Sequence, residues 1–211
     1  MTRLALPRAG GALAAVAFAL LFVVQAAPAV KVALDQSRRL EAGRAVLLAA
    51  ATRDPRDLFR GEYSVLSYEA GQPAGLSASE DLARACGPEP GCRLPGGMTV
   101  YVTLTEGADG LHHAAAIAAT KPTGTNPFLR GTVRFGSLTR DGGRSPCAGL
   151  CFSGAVDYGL ERWYGPQGVP ADLDRLDRGR IRIRARVDGE GTAILDALLV
   201  DGREVARTPR L

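Results

Sequence analysis

The sequence predicts a mainly β protein, with one mostly antiparallel β domain, sandwich-like or barrel-like, behind a single N-terminal transmembrane helix. Two observations support this fold class. Several segments alternate apolar and polar residues with the period of two that half-buried strands require. Regular alternation of strands with long helical patterns, which would indicate a parallel α/β sheet, is absent from the sequence.

The first element is an apolar run near the N-terminus. No residue from Ala9 to Val30 carries a charge, and the run is long and apolar enough to span a bilayer. A secretory signal has the same layout, and Ala27-Pro28-Ala29 is similar to a small-x-small cleavage site. Because Pro28 disfavours cleavage, we expect an uncleaved signal-anchor, with a cleaved signal as the alternative.

The anchor divides the chain into three predicted parts. We assign residues 1–31 to a cytoplasmic tip and the membrane anchor, residues 32–44 to a helical stalk, and residues 45–211 to one extracytoplasmic β domain. The length of the third part suits a single domain with a sizeable core. Basic residues after the span outnumber those before it, so the positive-inside rule does not orient the anchor.

Four cysteines indicate instead on which side of the membrane the β domain lies. Cys86 and Cys92 flank a Gly-Pro-Glu-Pro-Gly loop, and Cys147 and Cys151 flank Ala-Gly-Leu. An even number of cysteines in a chain with an export signal is more typical of disulfides than of a metal site, and local pairing is the simplest of three connectivities. We therefore expect the β domain to face an oxidising periplasm.

A zinc site is the alternative interpretation of these cysteines. Structural zinc sites combine closely spaced cysteines with further cysteine or histidine ligands, and the only histidines are His112 and His113. As neighbours on a strand, these two side chains would point to opposite faces and could not easily bind one ion. We expect no metal and no cofactor.

The clearest strand is Met98–Thr105, where Met98, Val100, Val102 and Leu104 alternate with threonines and Tyr101. Asp-Gly turns connect the last three predicted strands in the pattern of a β-meander. Strands are predicted over Met98–Thr105, Leu129–Phe135, Leu150–Val156, Arg180–Val187, Thr192–Val200 and Arg203–Arg207.

Two short helices are predicted outside the anchor, one over Ser79–Ala85 and one around Asp172–Leu176. Ser77 and Glu80 have the spacing of a capping box. The apolar run Ala45–Ala51 fits a helix or a buried strand by periodicity alone.

A charged turn followed by a strand occupies the segment from Asp54 to Tyr68, which we call block 1. Its carboxylates and guanidiniums lie within nine residues and can form charge-assisted pairs. Three interpretations follow: a turn braced by internal ion pairs, a binding surface, or catalysis by paired carboxylates. These charged residues are Asp54, Arg56, Asp57, Arg60 and Glu62.

A second segment, Tyr158–Tyr164, which we call block 2, combines aromatic residues with Glu161 and Arg162. Its Trp163 and Tyr164 complete a core edge or form a platform for a ligand. Glu161 and Arg162 could meet block 1 in space.

Block 1 resembles the signature of the GDYXXLXY family of uncharacterised membrane-anchored bacterial proteins. Gly61, Tyr63, Leu66 and Tyr68 are in place, and Glu62 stands where the family name has Asp. The resemblance implies that Ala45–Ala51 is a strand. It also implies a protein of the bacterial inner membrane that occurs alongside multi-spanning membrane proteins.

Block 2 is similar to the family's second block, and Gly179–Val200 resembles its closing hairpin. The family pattern continues to a Pro-Glu-Gly turn, whereas this chain has Pro166-Gln167-Gly168. Gln167 thus replaces the glutamate of the family pattern. This replacement weakens any mechanism in which that glutamate is catalytic or binds a metal.

No catalytic residue is assigned, because the sequence contains neither Gly-x-Ser-x-Gly nor Ser-x-x-Lys. We predict a non-catalytic accessory or binding module for an integral membrane partner or an envelope component. The alternative is a periplasmic hydrolase that uses carboxylates and arginines of the two blocks. The candidate binding residues are Asp54, Arg56, Asp57, Arg60, Gly61, Glu62, Tyr63, Leu66, Tyr68, Tyr158, Glu161 and Arg162.

The net charge of +4 rests almost wholly on arginine, because Lys31 and Lys121 are the only lysines. We attribute this to genome composition and expect no nucleic-acid partner. The anchor makes membrane lipid the first partner. Arginines alternate along Arg180–Arg186, which is typical of a solvated strand face; the alternative is a face that lies on anionic headgroups.

Overall fold

A computed structural model describes residues 9–53, 63–86, 92–141, 147, 149–164, 172–173, 175–177 and 179–209. The chain divides into an N-terminal unit that ends at Arg38 and a β unit, Arg39–Pro209. The elements are α1 (Ala9–Ala42), β1 (Arg44–Arg53), β2 (Tyr63–Tyr68), β3 (Leu76–Ala78), α2 (Glu80–Cys86), β4 (Thr99–Glu106), β5 (His112–Ala118), β6 (Phe128–Asp141), β7 (Gly149–Asp157), β8 (Arg162–Tyr164), β9 (Ile181–Val187), β10 (Ala193–Val200) and β11 (Arg203–Arg207).

Helix α1 contains the apolar run. Within its segment Leu13–Ala42, a stretch of 18 residues has a mean hydropathy of 2.3 and no buried residue, so the length and composition of the segment are those of a membrane-crossing helix. This single N-terminal helix is consistent with a single-pass membrane anchor. In the β unit the end of the helix is packed, because Leu40 is only 2% exposed and Gly43 N–H donates to the Arg39 carbonyl at 2.9 Å.

Six strands form one antiparallel sheet in the order β11-β10-β9-β1-β2-β8. Strand β1 lies inside the sheet, with Val46 opposite Ala185 of β9 and Ala50 opposite Tyr68 of β2. Strands β9, β10 and β11 form the predicted meander. The turn between the last two uses positive φ angles at Asp201 (50°) and Gly202 (78°), as a two-residue hairpin turn requires.

The other five strands close into a barrel in the order β3-β5-β4-β6-β7. Strand β3, only three residues long, closes the barrel by pairing parallel with β5 and antiparallel with β7. The remaining pairs are antiparallel. A 3-10 turn, Glu69–Gly71, lies between β2 of the sheet and β3 of the barrel.

Sheet and barrel share one hydrophobic core. Leu48 and Ile183 of the sheet belong to the same buried cluster as Val102 and Phe152 of the barrel. Gly136 of β6 makes room for the Phe152 ring, because a Cβ atom there would lie 2.3 Å from it. One core for both layers explains why the β unit is a single body.

The predicted fold class is therefore confirmed: the chain is mainly β, mostly antiparallel and partly a closed barrel, with one N-terminal apolar helix. Strand β9, Ile181–Val187, begins one residue after the predicted start at Arg180, and Ala45–Ala51 lies in β1. Strands β3, β5 and β8 were not predicted. The capping-box prediction was wrong, because Ser77 lies in β3 and Ser79 is the residue that precedes α2.

Cys147 and Cys151 form a disulfide, which is one of the two local bridges expected from the sequence. Cys92 is also disulfide-bonded. The side chain of Cys86, its expected partner, lies outside the described residues.

Candidate functional site

The described parts of block 1 and block 2 are adjacent strands. Tyr63 of β2 lies opposite Tyr164 of β8, and Ser64 lies opposite Trp163. Immediately before β8, the carbonyl of Glu161 accepts a hydrogen bond from the Leu66 N–H at 2.8 Å. Two segments that are far apart in the sequence therefore form one structural unit at the edge of the sheet.

Two tyrosine hydroxyls stabilise the contact between strand β2 and block 2, which we call the junction. Tyr68 of β2 donates its hydroxyl hydrogen to the Leu160 carbonyl, and Tyr158 donates to the Ala70 carbonyl at 2.6 Å. The two side chains are 3% and 6% exposed. These bonds satisfy carbonyls at the start of block 2 and just after β2, so both hydroxyls have structural roles.

Burial raises the pKa of both tyrosines, and the nearby Glu161 carboxylate adds to the effect. Both groups therefore stay protonated and remain hydrogen-bond donors. Leu66, the third described signature residue of block 1, is 1% exposed and belongs to the core.

An open groove of about 750 Å³ lies beside the junction. The sheet contributes Val65 and Arg162, while the barrel contributes residues of β4, β6 and β7. The lining residues are Val65, Thr99, Arg130, Gly131, Thr132, Arg134, Asp157, Tyr158, Gly159, Glu161, Arg162 and Thr192.

Both carboxylates in the groove are engaged by neighbouring groups. Arg134 donates to Asp157 through Nε, at 3.0 Å, and through a terminal nitrogen, so the pair is bidentate. This hydrogen bonding raises the pKa of Arg134. Glu161 accepts the Tyr158 N–H at 2.5 Å, which closes the turn before β8.

Two arginines in the groove have no such partner among the residues that the structure describes. Arg130 of β6 and Arg162 of β8 are exposed, and neither forms an ion pair within the described part of the chain. Arg130 and Thr132 lie on the same face of β6, and Thr99 of β4 lies directly opposite Thr132. Two guanidiniums and two hydroxyls are thus available to an anionic ligand.

The described lining contains no histidine, lysine, serine or cysteine. Its hydroxyls belong to Thr99, Thr132 and Thr192, and to Tyr158, whose hydroxyl is buried. A hydroxyl nucleophile needs an adjacent base, and no described threonine hydroxyl of the groove is hydrogen-bonded to Asp157 or Glu161. The arrangement favours binding over covalent catalysis.

The predicted site residues fall into four groups. Leu66, Tyr68 and Tyr158 are buried, and Glu161 and Arg162 line the groove together with Tyr158. Tyr63 is described only by its backbone in β2. The residues that lie outside the described part of the chain are Asp54, Arg56, Asp57, Arg60, Gly61 and Glu62.

Sequence reasoning did not identify Arg130, Thr132, Arg134 and Asp157 as site residues. The first three follow the predicted alternation of β6, which places them on its polar face. The alternation predicts that these side chains are exposed. It does not show which other strands line the same groove.

Among the described residues, no group of three or more His, Cys, Asp or Glu side chains is arranged to hold a metal ion. His112 accepts the Leu47 N–H at 3.3 Å. His113 instead lies 3.2 Å from carboxylate oxygens of both Glu69 and Asp109.

The arginine stripe on β9 is largely neutralised. Arg184 and Arg186 both bind Asp196, and Arg184 also binds Glu204 at 2.8 Å. Arg180 pairs with Asp201 at 2.5 Å. These ion pairs weigh against a face that lies on anionic headgroups.

Comparison with protein-family models matches the GDYXXLXY protein model to residues 25–198, which run from within α1 into β10 and contain both blocks. Comparison with curated proteins and with solved structures gives no match. The matched segment covers most of the chain and includes the paired strands β2 and β8. The chain therefore belongs to the GDYXXLXY protein family.

Proposed function

We propose that this chain is a single-pass protein of the bacterial inner membrane whose β unit lies in the periplasm and binds an integral membrane partner or an envelope component. It acts as a non-catalytic accessory module, and the groove beside β2 and β8 is its binding surface. One observation carries the proposal: Arg130 from the barrel and Arg162 from the sheet line the same open groove without a described carboxylate partner.

The signature residues support this role indirectly. Tyr68 and Tyr158 hold the junction through buried hydrogen bonds, and the junction positions Glu161 and Arg162 at the groove. A pre-formed surface binds with a smaller loss of conformational entropy than a mobile one. The family signature is then a framework for the binding surface.

A periplasmic location is supported by the Cys147–Cys151 disulfide, because disulfides persist in oxidising compartments and are rare in the cytosol. The apolar helix α1 supplies the anchor. With the β unit on the periplasmic side, the groove is accessible to the outer parts of membrane proteins.

A periplasmic hydrolase is the second candidate. The volume of the groove and the presence of Glu161 in it favour this alternative. Against it, Asp157 is paired with Arg134, and no described threonine hydroxyl of the groove is hydrogen-bonded to Asp157 or Glu161.

Site-specific photo-crosslinking in native membranes tests the proposal. A photoreactive amino acid replaces Thr132, which is exposed in the groove, in the full-length chain. The matched control replaces Thr105, which is exposed on β4 and does not line the groove. We expect one recurrent protein adduct, identified by mass spectrometry, from position 132 alone. Adducts with lipid only, or the same adducts from both positions, would contradict the proposal.

A further inference from the structure

We infer that the groove binds an extended acidic peptide segment of the partner, whose carboxylates pair with Arg130 and Arg162. This inference rests on the proposed binding function and specifies the chemistry of the ligand. It is carried by the charges, the shape and the hydrogen-bonding groups of the groove.

The charges of the groove match a ligand with a few separated negative charges. Three arginines and two carboxylates line it, and the pair Arg134–Asp157 is internally neutralised. Arg130 and Arg162 remain as binding groups, and Glu161 adds one negative charge beside them. The Glu161 carboxylate would repel a compact polyanion, whereas single carboxylates can bind the two arginines individually.

The two arginines also favour a ligand that extends across the groove. Arg130 belongs to β6 of the barrel and Arg162 to β8 of the sheet, so the two guanidiniums come from different layers. Each guanidinium presents a planar fork that fits a carboxylate through two hydrogen bonds. A ligand that carries its carboxylates at separate positions can therefore bind both.

The threonine hydroxyls of the groove suit a peptide backbone. Thr99 and Thr132 lie opposite each other on β4 and β6, and both are exposed in the groove. A threonine hydroxyl both donates and accepts, so it can bond either an amide N–H or a carbonyl of an extended chain. The open groove of about 750 Å³ leaves room for a segment that enters and leaves it.

Fluorescence anisotropy with a defined probe tests the inference. The full-length chain, held in uncharged detergent micelles, is titrated into a labelled peptide of alternating serine and aspartate. A peptide of alternating serine and asparagine is the matched neutral probe. We expect saturable binding of the aspartate peptide alone, and weaker binding as the ionic strength rises.

Substitutions locate the binding site. Arg130→Gln and Arg162→Gln should each weaken binding of the aspartate peptide by about tenfold or more, because each removes a charge-assisted hydrogen-bonding group. Arg182→Gln is the matched control, since Arg182 lies on β9 outside the groove and has no ion pair in the described chain. Its binding should equal that of the unchanged chain.

Equal binding of the two peptides, or equal losses in all three variants, would overturn the inference. Displacement of the peptide by inorganic phosphate but not by acetate would also overturn it, because the groove would then select phosphate over carboxylate. Photo-crosslinking from position 132 distinguishes the proposed binding function from the inference that the ligand is an acidic peptide. If Arg130→Gln and Arg162→Gln leave its yield unchanged, the acidic ligand is wrong and the binding module stands.

Discussion

Nε of Arg184 lies 2.8 Å from Oδ2 of Asp196, and the Asp196 side chain has no exposed surface. Nε of Arg186 lies 3.3 Å from the same oxygen. The ladder between β9 and β10 shifts register between Leu195 and Ala197, so Asp196 occupies a β-bulge. In a regular strand, the Asp196 side chain would point either into the apolar core or into solvent. The bulge instead buries its carboxylate next to two arginines.

Replacement of Asp196 should strongly destabilise the β unit. Asp196→Ala leaves Arg186 and Arg184, both about one-quarter exposed, without this buried partner. Loss of one member of a buried ion pair typically costs about 3–5 kcal/mol. The free energy of unfolding can be measured by denaturant titration of the full chain, with fluorescence of the only tryptophan, the buried Trp163, as the signal.

Glu190→Ala is the matched control for this variant. Glu190 pairs with Lys121 at 2.7 Å, but its side chain is 70% exposed. An exposed pair contributes about 0–1 kcal/mol. A loss for Asp196→Ala no larger than that for Glu190→Ala would contradict a stabilising role for the buried carboxylate.

Removal of either junction hydroxyl should also reduce stability. Tyr68→Phe leaves the Leu160 carbonyl without its donor, and Tyr158→Phe does the same to the Ala70 carbonyl. An unsatisfied buried group costs about 1–3 kcal/mol. Tyr101→Phe is the control, because the half-buried Tyr101 makes no described hydroxyl hydrogen bond, and it should be near neutral in the same denaturant titration. Equal effects of all three variants would contradict the structural role of the hydroxyls.

Stability should fall at alkaline pH because of the same two tyrosines. Burial, followed by the charge of Glu161, raises the pKa of Tyr68 and Tyr158 in the folded chain. Above the ordinary tyrosine pKa of about 10, the unfolded chain releases protons that the folded chain retains, so the free energy of unfolding decreases as the pH rises. The stabilisation is fully present below that pH.

Denaturant titrations on either side of pH 10 measure this slope. The double variant Tyr68→Phe, Tyr158→Phe should show a shallower decline than the unchanged chain, since it lacks both buried hydroxyls. Gly189→Ala, which removes no titratable group, should retain the full slope. An unchanged slope in the double variant would assign the alkaline loss to other groups.

Much of the fold could be predicted where a strand is long and alternates clearly. The arginines of β9 interleave with Ile181, Ile183, Ala185 and Val187, and the predicted strand, Arg180–Val187, differs from β9 by one residue. Strand β5 could not be identified in this way, because His-His-Ala-Ala-Ala-Ile-Ala contains small residues on both faces and no period of two. Strands β3 and β8 have only three residues each, too few to show a period.

The candidate site was predictable only in part, for a physical reason. Block 2 directed attention to Glu161 and Arg162, which do line the groove. Arg130 and Thr132 reach the same space through the barrel pairing of β4 with β6, a contact between segments that are distant in sequence. Periodicity assigns a residue to a face of its own strand and carries no information about the element opposite that face.

A methyl group at Gly131 should disturb both stability and the groove. A Cβ atom there would lie 2.4 Å from Cγ1 of Val156 and 2.8 Å from the ring of Tyr158. Overpacking of this kind costs about 1–3 kcal/mol. Because Tyr158 lines the groove, Gly131→Ala should also weaken binding of the aspartate peptide in the anisotropy assay.

Gly189→Ala is the matched control for Gly131→Ala, since a Cβ atom at Gly189 has no neighbour within 4 Å. It should leave stability and peptide binding within error of the unchanged chain. Retention of full stability by Gly131→Ala would show that the ring of Tyr158 can move away, and would contradict the tight packing of the junction.

The disulfide gives a test of the proposed periplasmic location. In a periplasmic β unit Cys147 and Cys151 are oxidised, and Cys92 is disulfide-bonded as well. Cells are quenched with acid, the protein is denatured, and free thiols are labelled with a heavy maleimide. We expect no gel shift without prior reduction, and four additions after reduction, one for each cysteine of the sequence. Four additions without reduction would contradict the periplasmic location, because thiols of a cytosolic domain are kept reduced.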